Sequence, residues 1–86
     1  MSNDFFIEIT EKFPERLKQI RLEKLLEQAD LAEKIGVRQE AISQYERGIN
    51  RPNLKTFSRL GQALGVSLDW LAGRTDDQKV HQKRPK

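Results

Sequence analysis

The sequence lacks cysteine, and histidine occurs only once, at His81. Without thiols the chain has no disulfide, thiolate nucleophile or thiolate metal site, which excludes a small disulfide-stabilised secreted fold. One imidazole cannot form a metal site by itself, so we predict no metal and no cofactor. Paired carboxylates, a nucleophile beside a base and a glycine-rich phosphate loop are also missing. We therefore expect no catalytic residues and no enzyme activity.

Long apolar runs are missing as well. The N-terminal segment FFIEI, residues 5–9, is far shorter than the roughly 20 residues of a membrane span, and its acidic surroundings are unlike those of a signal peptide. The 86 residues are 36% hydrophobic, which is enough for one small domain with a single core. The sequence predicts a soluble, cytoplasmic protein with no membrane contact.

The net charge of +3 is distributed unevenly along the chain. The first 13 residues carry −2, the last 13 carry +3, and the residues between them carry +2. The stretch from Arg47 to Leu68 contains four basic residues and no acidic one. Such a run is often only a solvated surface. It would also attract a polyanion, so nucleic acid is a candidate partner.

Apolar residues at helical spacing, combined with helix-start and helix-stop residues, predict five helices. We expect them over about residues 14–24, 28–35, 39–47, 54–64 and 68–72. Pro14 suits a first turn, Asn53 and Ser67 suit N-caps, and Gly36 and Gly65 suit helix ends. The sequence therefore predicts an all-α bundle of five helices.

The flanks of this bundle differ in kind. We divide the chain into an N-terminal arm (1–12), a folded domain (13–73) and a basic tail (74–86). The tail has one apolar residue and cannot bury enough surface to offset the entropy of ordering it, so we expect it to be flexible. Three roles stay open for the apolar residues of FFIEI: covering the core, extending helix 1, or forming a strand that pairs with another chain. These residues are Phe5, Phe6, Ile7 and Ile9.

The third predicted helix has a distinctive polar face. At about 100° per residue, its polar side chains fall within an arc of about 140°, opposite an apolar side formed by Ala41, Ile42 and Tyr45. Most solvated helix faces are rich in Lys and Glu, whereas this face contains two glutamines and a serine. An amide presents a hydrogen-bond donor and an acceptor together, which suits the edges of DNA bases. The polar face consists of Gln39, Glu40, Ser43, Gln44 and Arg47.

The motifs RLKQIR, QADLAEKIGV, AISQYERG, RPNLKTFSRLGQALGVS and LDWLAG occur in this order over about residues 13–73. In this order and spacing they resemble the helix-turn-helix domain of the Xre family, which comprises bacterial regulators and phage repressors of the Cro type. The resemblance implies a phage-repressor-type bundle with the helix-turn-helix at helices 2 and 3. It also implies a transcriptional regulator, most often a homodimeric repressor that binds a palindromic operator in double-stranded DNA.

The resemblance implies roles for individual residues. Base contacts are expected from Gln39, Glu40, Ser43 and Gln44. A glutamine can bind adenine N6 and N7, and Glu40 can accept from cytosine N4. Phosphate contacts are expected from Gln28, Arg38, Arg47, Asn50, Arg51 and Lys55. An ion pair between Arg21 and Glu46 is expected to join helix 1 to helix 3. For the dimer interface we predict Leu68, Trp70 and Leu71, although Trp70 suits a core position equally well and FFIEI is a rival interface.

Two residues depart from the family pattern, which has glycine and then serine or threonine in the turn before helix 2. Here Leu25 and Glu27 occupy these positions, so we expect a different path for this turn or a longer helix 1.

A second hypothesis for the whole protein is an antitoxin or adaptor. Its protein partner would be held by FFIEI or by the basic tail, and it would still regulate its own operon through the same domain.

Overall fold

The computed structural model describes residues 8–80, and these residues form five α-helices. The helices are α1 (Phe13–Glu23), α2 (Gln28–Ile35), α3 (Gln39–Glu46), α4 (Leu54–Leu64) and α5 (Leu68–Ala72). Within residues 8–80 there is no β-strand. The predicted all-α, five-helix fold is confirmed, and every helix boundary lies within one residue of its expected position. None of these helices is long and apolar enough to cross a membrane.

Local capping explains where α4 and α5 begin. The side chain of Asn53 accepts a hydrogen bond from the backbone N–H of Thr56 at 2.8 Å, and that of Ser67 accepts one from Trp70 at 3.2 Å. Each bond satisfies an N–H group that has no partner inside its own helix. At the end of α2, Gly36 adopts a left-handed conformation with φ +76°, which turns the chain toward α3.

The turn between α1 and α2 contains a leucine in a left-handed conformation. α1 ends at Glu23 and is not extended, and Leu25 takes φ +61° with its side chain 90% exposed. A branched side chain is disfavoured there by roughly 1–2 kcal/mol. At the start of α2, the backbone N–H of Glu27 donates to Asp30 Oδ2 at 3.0 Å. The turn therefore tolerates strain at Leu25, and α2 begins with a capping box formed by Glu27 and Asp30.

All five helices contribute apolar side chains to one core. The ring of the buried Phe13 packs between two others, with centroids 6.3 Å from that of Tyr45 and 5.8 Å from that of Phe57. Gly61 is buried in α4 beside Leu68, where a methyl group would overlap with the leucine side chain, so glycine permits the close approach of α4 and α5. The remaining core residues are Leu17, Ile20, Leu31, Ala32, Ile35, Ile42, Leu60, Leu64, Val66, Trp70, Leu71 and Ala72.

Two of the three residues predicted for a dimer interface belong to this core. Trp70 and Leu71 are only 5% and 0% exposed, because the short α5 packs its apolar side against α1 and α4. The prediction that these two residues contact a second protomer is therefore wrong. Leu68, the third, is half-buried and packs against the edge of the core.

Both flanks contact the bundle. The backbone N–H of Thr10 donates to Ala72 O at 2.8 Å, and Ile9 packs against the core. In the segment predicted as a flexible tail, Gln78 O accepts from the Ser67 N–H at 2.9 Å. Residues 74–80 therefore lie against the domain. Polar contacts hold them there, and the prediction of a flexible tail, which counted only apolar residues, did not include such contacts. Residues 1–7 and 81–86, with Phe5, Phe6, Ile7 and His81, lie outside the described range.

Arg16 connects α1 to the C-terminal segment. Its Nη1 donates to Trp70 O at 2.5 Å and to Thr75 O at 2.6 Å, and its Nη2 donates to Asp76 Oδ1 at 2.8 Å. The guanidinium carbon also lies 4.9 Å from the centre of the Trp70 ring, within the range of a cation–π interaction. One side chain thus links α1, α5 and the residues after α5.

Candidate nucleic-acid interface

α2 and α3 form a helix-turn-helix whose second helix has one buried and one accessible side. Ile42 and Tyr45 face the core and are buried, and burial raises the pKa of the Tyr45 phenol, which keeps it neutral. On the opposite side, Gln39 and Glu40 are exposed. The polar face predicted from periodicity is therefore the side of α3 that is turned away from the core.

Ser43 and Gln44, two residues of the polar face, are held by residues later in the chain. Arg47 Nε donates to Ser43 Oγ at 3.2 Å, and Asn50 Nδ2 donates to Gln44 Oε1 at 3.3 Å. Ser43 and Gln44 are half-buried, whereas Arg47 and Asn50 are exposed. Two residues predicted to contact phosphate thus also contact two residues predicted to contact bases.

An ion pair anchors α3 to α1. Arg21 Nε lies 2.6 Å from Glu46 Oε2, and Arg21 Nη2 lies 3.1 Å from Glu46 Oε1. Arg21 Nη1 also donates to Leu26 O at 2.7 Å. The hydrogen bond to Glu46 raises the pKa of Arg21, so this guanidinium stays charged although it is buried. The expected pairing of Arg21 with Glu46 is present in the structure.

Gln28, which was expected to lie on the DNA-facing surface, also joins the hydrogen-bond network of Arg21 and Glu46. Its Nε2 donates to Glu46 Oε1 at 3.1 Å, and its side chain is half-buried. The amide that was expected to meet a phosphate therefore uses one of its donors inside the protein. Gln28 still opens α2, where the backbone N–H groups of the first turn point outward from the helix end.

Basic residues lie at both ends of α3. Arg38, at the N-cap of α3, is exposed at one end, and Arg51 and Lys55 are exposed beyond the other end. Arg51 Nη1 donates to the carbonyl oxygen of Ile9 at 2.6 Å, so its guanidinium is positioned by the N-terminal arm. The fourth basic residue of the acid-free stretch, Arg59, donates instead to Ile35 O at the end of α2. The structure thus separates Arg59 from the loop that follows α3.

Two contributions were missed from the sequence. Asn50 was assigned only to phosphate, but it bonds to Gln44, and no local pattern in the sequence signals this contact. Arg16 was assigned no role, although it makes three hydrogen bonds. Among the described residues there is no cluster of side chains suited to a metal ion.

Comparison with known proteins identifies the family. The sequence profile of the helix-turn-helix family matches residues 17–71, which is more than half of the chain. The chain belongs to the Xre/Cro-type helix-turn-helix family of transcriptional regulators. The resemblance stated from the sequence motifs is confirmed.

A similar curated protein is an uncharacterised HTH-type transcriptional regulator, YqaE, of Bacillus subtilis (strain 168). It is 38% identical over 74 residues, which cover 86% of this chain and 64% of YqaE. The match to another Bacillus subtilis regulator of this family, YonR, covers 61% of that protein. This family member therefore spans less than two thirds of the length of these relatives.

Solved structures include two similar proteins bound to DNA. The P22 c2 repressor, solved with a synthetic operator, is 35% identical, has a TM-score of 0.72, and covers 77% of this chain and 100% of its own. SinR, a master regulator of biofilm formation, was solved with DNA; it is 33% identical, has a TM-score of 0.65, and the match covers 69% of this chain and 95% of SinR. SinR was also solved with the protein SinI, with the same identity and TM-score and a match covering 58% of that SinR chain.

Proposed function

We propose that this family member binds an operator in double-stranded DNA as a homodimer, with α3 in the major groove, and represses transcription by occupying a promoter. The observation that carries this proposal is the orientation of the polar face of α3, which points away from the core. The buried apolar side of α3 and the Arg21–Glu46 pair fix this orientation. A face fixed in this way enters a groove without first having to be ordered, which favours binding.

In this proposal, the base contacts come from the polar face. Gln39 and Glu40 lie in the first turn of α3, and Ser43 and Gln44 lie one turn later. Such residues can reach base edges when a helix enters the major groove with its N-terminal half. Glu40 supplies a carboxylate acceptor for cytosine N4, and the amides and the hydroxyl supply donors.

The phosphate contacts lie around this helix. Arg38 is at one end, and Arg47, Asn50, Arg51 and Lys55 follow the other end, so the basic side chains could contact the backbone on both sides of the groove. The first turn of α2 adds backbone N–H groups, which favour an anion, and the second donor of the Gln28 amide. These contacts position the protein without selecting a sequence.

A homodimer is proposed because one small domain contacts too few base pairs for useful specificity. Two copies on a palindrome would place their α3 helices about one helical turn apart, roughly 34–36 Å. With Trp70 and Leu71 in the core, Leu68 remains of the three predicted interface residues, and FFIEI remains the rival interface. In this arrangement residues 13–73 bind DNA, the arm and tail flank them, and the protein acts in the cytoplasm.

Selection from a random DNA pool, followed by footprinting of the enriched sequences, tests the proposal. We expect enrichment of a two-fold symmetric site whose half-sites are centred about 10 base pairs apart or a multiple of that spacing. The control is a variant with Gln39→Ala and Gln44→Ala, which removes two amides of the polar face and leaves the buried side of α3 unchanged. It should keep its circular dichroism spectrum and lose the enrichment. A wild-type protein that enriches no sequence would refute sequence-specific binding.

A second candidate function is that of an antitoxin or adaptor with a protein partner. It is favoured by the similarity to SinR, which was solved with SinI as well as with DNA. Co-expression with the product of a neighbouring gene tests it. A stable complex at defined stoichiometry would support this function, and separate elution of the two proteins would oppose it for that gene product.

A further inference from the structure

The orientation of the Gln44 side-chain amide is determined by a chain of hydrogen bonds that begins in the backbone. The backbone N–H of Arg51, which can only donate, lies 3.1 Å from Asn50 Oδ1. The Asn50 oxygen must therefore face Arg51, which leaves Nδ2 on the other side of the amide. That nitrogen lies 3.3 Å from Gln44 Oε1. Since an NH₂ group must face an acceptor, Gln44 directs its oxygen toward Asn50 and its own NH₂ away from it.

The end of α3 brings these two residues together. Gly48 adopts φ +72°, and the backbone N–H of Ile49 donates to Gln44 O at 3.0 Å. These features close the helix and return the chain along its last turn, so that the side chain of Asn50 meets that of Gln44. The contact therefore depends on the backbone conformation at the end of α3.

A second side-chain oxygen in the same part of the polar face, that of Ser43, also accepts a hydrogen bond from within the protein. Ser43 Oγ accepts from Arg47 Nε at 3.2 Å, so its hydroxyl hydrogen is directed elsewhere. Ser43 and Gln44 together present O–H and N–H donors to a partner, and both of their side-chain oxygens are engaged within the protein. The second half of the polar face thus matches a base edge with acceptors.

We propose that Gln44 contacts guanine in preference to adenine, and that Asn50 is the positioning residue that determines this preference. Guanine presents two acceptors in the major groove, N7 and O6, whereas adenine presents the acceptor N7 beside the donor N6. The bidentate contact to adenine requires Gln44 to offer Oε1 as well as Nε2, and Asn50 competes for Oε1. This inference rests on the proposed placement of α3 in the major groove.

The variant Asn50→Asp tests the inference directly. One carboxylate oxygen of the aspartate can still accept from the Arg51 N–H, while the other now faces Gln44 as an acceptor. Gln44 should then turn its NH₂ group toward residue 50 and its oxygen toward the DNA. We expect the preference at one base position to move from guanine to a base with an N–H donor, adenine or cytosine, by about tenfold in relative Kd.

The position is identified first, as the one where Gln44→Ala loses discrimination. Kd is then measured by fluorescence anisotropy with all four base pairs at every position of the half-site. The matched control is Asn53→Asp, which adds the same charge nearby and keeps an N-cap acceptor for Thr56. It should weaken binding to all sequences equally and leave every preference unchanged. Asn50→Ala should narrow the difference between guanine and adenine at the same position.

Two results would overturn the inference while leaving the proposed function intact. One is a wild-type preference for adenine at the Gln44 position. The other is an Asn50→Asp variant that weakens binding to all four base pairs by the same factor, as Asn53→Asp does. A wild-type protein that distinguishes no base pair at any position would instead refute the proposed function, and the inference with it.

Discussion

Arg21 and Glu46 form a buried ion pair, with Nε and Oε2 separated by 2.6 Å and side chains that are 7% and 4% exposed. The pair connects the end of α1 to the end of α3. Gln28 contributes a third polar group from α2, so the three helices that position the polar face meet at these side chains. Stability and placement of α3 are therefore linked at this point.

Glu46→Ala should destabilise the domain by about 3–5 kcal/mol, because it leaves the Arg21 guanidinium buried without its carboxylate. Urea denaturation measures the loss. The hydrogen bond to Glu46 raises the pKa of Arg21, so this contribution is complete below the pKa of Arg21 in the unfolded chain and is lost as the pH rises from there through the raised pKa of the folded protein. The loss should therefore be the same across about pH 6 to 9.

The control is Asp69→Ala, which breaks an exposed 3.5 Å pair with Arg74 and should change stability by at most about 1 kcal/mol. Equal losses from both variants would contradict the role of burial.

Arg16→Met should lower the free energy of unfolding by about 1.5–3 kcal/mol, because charge-assisted hydrogen bonds to two carbonyl groups are lost. It should also release the segment after α5, which limited proteolysis would detect as faster cleavage near Thr75. The comparison variant is Asp76→Ala, since the Asp76 side chain is 92% exposed and its ion pair contributes little. If Asp76→Ala had the larger effect, the carbonyl contacts of Arg16 would not be the main link.

Leu25→Gly should stabilise the domain by up to about 1 kcal/mol. It removes a side chain from a residue at φ +61°, and the relief of roughly 1–2 kcal/mol is partly offset by the entropy of glycine in the unfolded chain. Thermal unfolding measures the change. Leu22→Gly, at an exposed position inside α1, should instead destabilise by about 1 kcal/mol. Destabilisation by both variants would indicate that the Leu25 side chain makes a favourable contact.

Arg51→Ala should weaken binding to all DNA sequences by a similar factor and lower the slope of log K against log salt by about 1. In the proposed complex Arg51, which lies beyond the end of α3, contacts a phosphate and no base. Arg74→Ala also removes one positive charge, but its charge lies next to Asp69 on α5, so the slope should stay the same. An unchanged slope for Arg51→Ala would exclude its phosphate contact.

Helix positions could be predicted from the sequence because the signals are local. The start of α4 depends on one asparagine and an N–H three residues later, and the end of α2 depends on a glycine with positive φ. The polar face of α3 follows from helical periodicity alone. These features require no knowledge of what packs against the helix.

Apart from the Arg21–Glu46 pair, which the family resemblance implied, side-chain partners could not be predicted, because they depend on how distant segments pack. Arg16 bonds to residues more than 50 positions away, and Arg51 bonds to the N-terminal arm. Gln28 and Asn50 were both expected to face phosphate, but the first bonds to Glu46 and the second to Gln44. Polar groups find whichever partner the assembled backbone brings within reach, and one sequence does not specify that geometry.

The sequence by itself determined the five helices, the family and the polar face of α3, because periodicity, capping residues and motif spacing act over a few positions. The tertiary structure decided which apolar residues of α5 are available to a partner, since burying Trp70 and Leu71 required α1 and α4 to pack over them. It also decided which oxygens and NH₂ groups the polar face presents. That property depends on the return of the chain after Gly48, where a backbone N–H sets the direction of two side-chain amides in succession.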